Sequence, residues 1–296
     1  MATLTPILLL ISMVGFFQWA AASTVAVFHA LDQDLAALQK AGATKVRNFS
    51  VGTTTVQQLA LGGHTIYAVR MGSGCVQTSL AAQALLAKQK CDLVISVGPV
   101  GDIKGDLTLG AWYLVTEVVA WQRGSHDATG FRLHADARIA VAKHPLMEAP
   151  DGVLADLPEL GVASGEVFIA SDEFRADLAS RSGCTAVDMN LFGLLSVLQS
   201  HDVNGIHLRT PSDHADSKAG EEFRRFSETY DGAGGRMAAE IIRALPQDAT
   251  SPQAHEALRG LLKAPDAEGS RPQIPQPGTA KDGSGDPASA PVRSAD

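Results

Sequence analysis

The sequence predicts an α/β domain, and three observations carry that prediction. A β-branched run, "TVAVF", passes into "HALDQDLAALQKAG", where Leu35, Leu38 and Ala41 recur at helical spacing. The run "LVISV", Leu93 to Val97, is apolar without alternation, as in a central strand covered on both faces. Strand-like and helix-like stretches then alternate along most of the chain, which is how α/β layers are assembled.

Taken in order, the first strand spans Thr24 to Phe28 and its helix ends near Gly42. "HTIYAVRMGSGC" reads as a strand, Thr65 to Arg70, closed by a tight glycine turn. "VQTSLAAQALLAKQKC" is rich in good helix formers. The central strand runs from Leu93 to Val97 into Gly98 and Gly101, read as a second glycine pair at a strand end. "GAWYLVTEVVAWQRG" supplies another strand, and 123–162, broken by Pro145, Pro150 and Pro158, reads as an excursion from the core. "GEVFIAS" resumes strand character, and "DEFRADLASRSG" is a short helix with Asp172 as its cap. "TAVDMNLFGLLSVLQSHD" carries a strand end into a helix, and "VNGIHLRTPSD" is the next strand. "EEFRRFSETYDGAGGRMAAEIIRALP" provides the last helices, ending before Pro246.

The 296 residues are 45% hydrophobic and 19% charged, enough to bury one large core or two modest ones. A formal charge of −8 with no basic stripe argues against nucleic acid as a partner. Residues 1–22 have the form of a secretory signal peptide, with "AAAS" as a small-residue cleavage site, so a periplasmic or secreted location is expected. The segment has no Lys or Arg before its apolar run, and an uncleaved membrane anchor or a misassigned start are the alternatives. Half of the 14 prolines fall between 252 and 291, so 247–296 is expected to be a disordered tail, with one short helix-like run at "AHEALRGLLK". The folded unit is then 23–246. Cys75, Cys91 and Cys184 are an odd number without metal-like spacing and read as buried thiols, with at most one pair. No metal and no cofactor is expected.

Two glycine turns at the carboxyl edge of one sheet mark the place where open α/β sheets form a ligand crevice. "MGSGC", Met71 to Cys75, lies between a strand and a helix, where backbone N–H groups can approach an anion or a sugar. A tight turn without a ligand is its plain alternative. Asp34 opens the first helix and could position water, although complementing the helix dipole explains it equally well. The densest cluster is "LRTPSDHAD", with Arg209, Ser212 and Asp213. A buried carboxylic acid there could protonate a ring nitrogen and help a heterocycle depart. A capping or salt-bridged aspartate beside Pro211 is the competing account. His207 and His214 read as packing or solvent histidines.

The ordered blocks "AVFHALDQDL", "MGSGCVQTSLAAQALL", "CDLVISVGPVGDI", "GEVFIASDEF", "AVDMNLFGLL" and "LRTPSDHAD" resemble the nucleoside phosphorylase and nucleosidase superfamily, and most of all the methylthioadenosine and adenosylhomocysteine nucleosidases. The resemblance implies a three-layer α/β sandwich with a mixed, partly barrel-like central sheet, a homodimer, and cleavage of the N-glycosidic bond of a purine nucleoside. It implies that Asp213 is the acid acting on the purine, with Ser212 its neighbour. Val167, Phe168 and Ile169 would stack on and read the base, Met189 would lie beneath the ribose, and Met71, Gly72 and Gly74 would form the turn near the nucleophile or phosphate. Two departures follow from the same comparison. The family's "VEME" is "VDMN" here, which leaves Asn190 without a charge for the ribose hydroxyls, and Asp34 stands where a longer glutamate orients water. Hydrolysis is expected over phosphorolysis, since only Arg70 lies near the glycine turns, and export favours it mildly. The rival functions are an exported binder that captures nucleosides without cleaving them, and an envelope protein that uses only the scaffold.

Overall fold

The computed structural model describes residues 22–147 and 154–245. The signal-like segment up to residue 21, Pro150 and the proline-rich tail lie outside the described residues. The elements run β1 (Thr24–His29), α1 (Asp32–Lys40), β2 (Thr44–Val51), β3 (Thr54–Leu61), β4 (His64–Arg70), α2 (Cys75–Leu86), β5 (Leu93–Asp102) and β6 (Tyr113–Ala120). A small hairpin, β7 (Gly124–Asp127) and β8 (Gly130–Leu133), precedes β9 (Arg138–Ala140) and β10 (Glu159–Ser164). The chain continues through α3 (Asp172–Ser182), β11 (Ala186–Asp188), α4 (Leu191–His201), β12 (Gly205–Asp213), α5 (Ala219–Thr229) and α6 (Ala233–Ala244).

The main sheet is mixed and has the order β11-β10-β6-β12-β5-β1-β4-β3-β2, with β9 added to β6. It also closes on itself, because Ala186 and Val187 of β11 pair antiparallel with Asp102 and Gly101 of β5. Five strands, β5, β12, β6, β10 and β11, therefore form a ring, and β1, β4, β3 and β2 extend from it as an open wing. This is the partly barrel-like sheet that the resemblance implies. Strand β1 shows why it becomes a three-layer sandwich. Ala26 and Phe28 pack into the cluster that contains Ala82 and Leu85 of α2 with Leu191 and Leu194 of α4. Val25 and Val27 pack into the opposite cluster, with Leu38 of α1 and Ala238 and Ile242 of α6. Alternate side chains of one strand thus feed two cores, which requires a run with no polar member. Helix α3 closes a third, smaller cluster around Val119, Trp121 and Leu178.

Several boundaries differ from the sequence reading. Strand β5 does not end at Val97 but continues through Gly98 and Gly101 to Asp102. Those glycines allow close approach rather than a turn, since a Cβ on Gly98 would stand 3.0 Å from that of Ala30, and one on Gly101 3.0 Å from Asp213 Oδ1. "GEVFIAS" is a loop, and the strand is the preceding "ELGVAS" of β10, whose last residue, Ser164, is paired with Ala120 and Asp188. Beyond Ser164 no ladder partner remains among the described residues. The cap of α3 is Ser171, whose hydroxyl accepts from the Phe174 amide at 3.3 Å, and not Asp172. All three cysteines are unpaired thiols.

Candidate active site

A cavity of about 410 Å³ opens where β1, β4, β11 and β12 end and the loop after β10 begins. Carboxyl ends of parallel strands converge there, because β12, β5, β1 and β4 run parallel in that order. The position agrees with the general placement of ligand crevices in α/β sheets.

Asp213 ends β12, just past a register shift against β5 between Pro211 and Asp213. Such a bulge re-aims the side chain that follows it. Here it points the carboxyl group over Gly101, the residue whose missing side chain leaves room for it. Asp213 lines the cavity and is only 2% exposed. Burial pushes its pKa up to about 6, opposed by the Ser212 hydroxyl and the Ala215 amide. The Ser212 hydroxyl lies 2.8 Å from Oδ2 and 3.1 Å from the Val100 carbonyl, and the Ala215 amide donates to Oδ1 at 3.0 Å. The acid is thus fixed in direction and holds its proton to higher pH than an ordinary aspartate.

Across the cavity, Val167 and Phe168 present half-open apolar surface, while Ile169 beside them is buried. Phe168 meets Phe223 of α5 edge to face with centroids 5.9 Å apart, so the ring has a supported face. The loop is anchored at Glu166, whose amide donates to Gln122 Oε1 at 2.8 Å and whose carboxylate accepts from the Val76 amide at 2.9 Å. That carboxylate occupies the first turn of α2 and lies directly over Gly74, where φ is +102°. Gly74 is consequently outside the cavity lining, whereas Met71 and Gly72 are part of it. The N-terminal dipole expected to hold an anion already holds Glu166. Arg70 also lines the cavity, paired at 3.4 Å with Asp32.

Met189 and Asn190 line the cavity next to Asp188. The Asn190 amide nitrogen donates to the Gly72 carbonyl and, at 2.8 Å, to Thr78 Oγ1. Both of its N–H groups are therefore spent on the protein, which leaves only the acceptor oxygen for a ligand.

Besides Gly74, two further predicted site residues lie off the cavity wall. Asp34 is 2% exposed and is not part of the cavity wall. Its Oδ1 accepts from the Tyr230 hydroxyl at 2.6 Å and from the Gly235 amide at 3.1 Å, and the Gly234 amide donates to that same hydroxyl at 2.8 Å. The acid and the phenol together cap α6, and burial pushes the Asp34 pKa up to about 6. Arg209 is 1% exposed and likewise off the wall; its Nε and Nη2 each donate to Asp188 Oδ2 at 3.3 Å. It is the buried counter-ion of Asp188 rather than a ligand-facing cation.

The phosphorylase superfamily model matches residues 24–246. The chain belongs to that superfamily. Among curated relatives, the 5'-methylthioadenosine/S-adenosylhomocysteine nucleosidase of Shewanella pealeana is 27% identical over 201 residues, covering 63% of this chain and 84% of the relative. Among solved structures, the Helicobacter pylori enzyme of the same name superposes with a TM-score of 0.67 at 20% identity, over 76% of this chain and 100% of that one. Futalosine hydrolase of the same organism superposes with a TM-score of 0.65 at 19% identity, over 76% and 99%.

Within this superfamily scaffold, sequence reasoning missed Asp188, Phe223 and Tyr230. Asp188 reaches the cavity and accepts from the Asn190 and Leu191 amides at 3.2 Å, so it also caps α4. A "VD" at a strand end before a helix was the available signal for it. Phe223 and Tyr230 act through partners about 55 and 196 residues away in sequence, and no local pattern announces such pairs. His207 is buried away from this cavity, and His214 bonds Glu222 at 2.9 Å. Among the described residues, no group of three His, Cys, Asp or Glu side chains could hold a metal ion.

Proposed function

We propose that this chain hydrolyses the N-glycosidic bond of a purine nucleoside, with Asp213 as the general acid. The observation that carries the reading is the buried Asp213 carboxyl, held by Ser212 and Ala215 on the wall of a cavity whose other side is Phe168. The base lies between them, Asp213 delivers its proton to a ring nitrogen, and the C–N electron pair leaves with the base. Water then captures the ribosyl cation and releases a proton. Hydrolysis is favoured over phosphorolysis because, among the described residues, the one Lys or Arg on the wall, Arg70, is paired with Asp32 and the α2 terminus is occupied by Glu166. The matched relatives carry both methylthioadenosine/adenosylhomocysteine nucleosidase and futalosine hydrolase names, which supports a common base-releasing step and leaves the 5' group open.

A second reading, a binder without turnover, is favoured by one observation. Beyond β5 from Asp213, the wall is Ala30, Leu31, Arg70, Met71, Gly72 and Ser73, with no carboxylate among these described residues, and the acid expected to hold the water, Asp34, is committed to α6. The two readings separate when the purified protein is incubated with adenosine, inosine, methylthioadenosine and adenosylhomocysteine, with and without phosphate. Free base without phosphate is the expected result; ligand-induced thermal protection with no base released supports the binder. Export is supported by the signal-like 1–22, and a homodimer by the exposed Val76 and Leu80, one turn apart on α2.

A further inference from the structure

A second cavity, of about 300 Å³, lies at the opposite end of β12, walled by Ile139, Leu195, Leu198 and Val203. Its one deeply buried polar side chain is His207, 1% exposed. His207 and Asp213 are six residues apart on β12, about 20 Å at the usual strand rise, so this cavity is separate from the candidate active site.

The hydrogen bonds around His207 bear on what it offers. Arg209 Nη1 donates to Ser96 Oγ at 3.3 Å, and a guanidinium can only donate. The Ser96 hydroxyl lies 2.9 Å from His207 Nδ1, and because no other acceptor takes its proton among the described residues, we assign His207 the tautomer that accepts there. Burial and the neighbouring Arg209 charge keep the imidazole neutral. A neutral ring that accepts at Nδ1 carries its proton on Nε2. The Nε2 edge lies against Gly205, itself a cavity residue, in a space that any Cβ on Gly205 would fill. Among the described residues, no protein acceptor takes that proton. At the mouth, Asp202 supplies an exposed carboxylate.

We propose that this cavity is a second small-molecule site, for a flat neutral ligand with a carbonyl that accepts from His207 Nε2–H and an N–H that donates to Asp202, that is, an aromatic amide or lactam. An apolar body suits the aliphatic walls, and an unfilled donor at the floor selects against ligands lacking an acceptor. The same hydrogen-bond chain continues from Arg209 to Asp188, which accepts the Asn190 and Leu191 amides at the candidate active site. Occupancy is therefore readable at both ends.

The test uses the full chain and benzamide as probe, followed by NMR of the histidine side chains and backbone amides. Saturable shifts at His207, with smaller shifts at Asn190 and Leu191 following the same curve, are expected. Benzoate, which has no N–H to donate and is repelled by Asp202, should bind at least about tenfold more weakly. Ala142→Trp, at an exposed position of the rim, should weaken benzamide about tenfold or more without altering the fold. His207→Phe should do the same if the variant retains its circular dichroism spectrum. Absence of a saturable shift up to about 10 mM overturns the proposal. So do shifts centred on Val167 to Ile169, binding unchanged by Ala142→Trp, or a change of oligomeric state in that variant, which would assign the face to a subunit contact. None of these readouts depends on turnover, so their failure is separate from failure of the nucleosidase reading.

Discussion

Asp213 and Asp34 are a matched pair of acids with opposite circumstances. Each is 2% exposed, each has its pKa pushed up to about 6 by burial, and each accepts two protein hydrogen bonds. Asp213 ends a strand on the wall of the cavity, whereas Asp34 sits in the first turn of α1 beneath the N-terminus of α6. A raised pKa therefore records desolvation, and access to a ligand decides whether the proton can be used.

The comparison breaks most sharply at Asp213. Asp213→Asn keeps the volume and removes the titrating proton, so base release should fall about 10²- to 10⁴-fold. In the unmodified protein kcat/KM should decline as pH rises above about 6, where Asp213 loses its proton, and this limb should vanish in the variant. A flat profile in the unmodified protein would refute Asp213 as the acid. Phe168→Ala removes one face of the base site, and KM should rise about tenfold with a smaller change in kcat, since base stacking on an aromatic contributes about 1–3 kcal/mol.

Asp34→Asn should have the smallest effect on turnover, about threefold or less, because asparagine Oδ1 can still accept from Tyr230 and Gly235. Its effect belongs in stability. The folded pKa of about 6 exceeds the unfolded value of 3.8, so the folded state holds the proton more tightly between them. The stability that Asp34 contributes is then fully present below about pH 3.8 and is lost as pH rises through about 6. Urea titrations at pH 4 and pH 8 should show that loss in the unmodified protein and a smaller one in Asp34→Asn. The difference is about 1–3 kcal/mol. A loss of turnover as large as that at Asp213 would return Asp34 to the chemistry.

The elements legible in the sequence are those whose burial pattern is complete within one stretch. β1, with its unbroken apolar run, and α1, with Leu35 and Leu38 at helical spacing, are of this kind. The hairpin β2–β3 escaped because β2 is almost wholly exposed and its Thr, Arg and Asn residues do not resemble half-buried alternation. β5 was cut short because Gly98 and Gly101 read locally as turns, while their reason for being glycine is the approach of Ala30 and Asp213 from other strands. "GEVFIAS" has strand composition but no strand beside it, and a ladder needs two sides. The site divides in the same way. Ser212 and Asp213 lie where an element visibly ends, Val167 to Ile169 were legible only through the family resemblance, and the structure brings both groups around one cavity. The Arg209–Asp188 and Asp34–Tyr230 pairings connect distant segments, and neither residue of either pair signals its partner.

Viewed as a graph, the main sheet is a loop with a tail, and β5, with three neighbouring strands, is the vertex at which they join. The loop side of the cavity supplies Asp213, Asp188 and the Phe168 segment, and the tail side supplies Leu31 and Met71. A nucleoside seated between them spans both sides of the vertex. In the proposed reaction, the substrate would thus tie the tail back onto the loop at the strand with three neighbours.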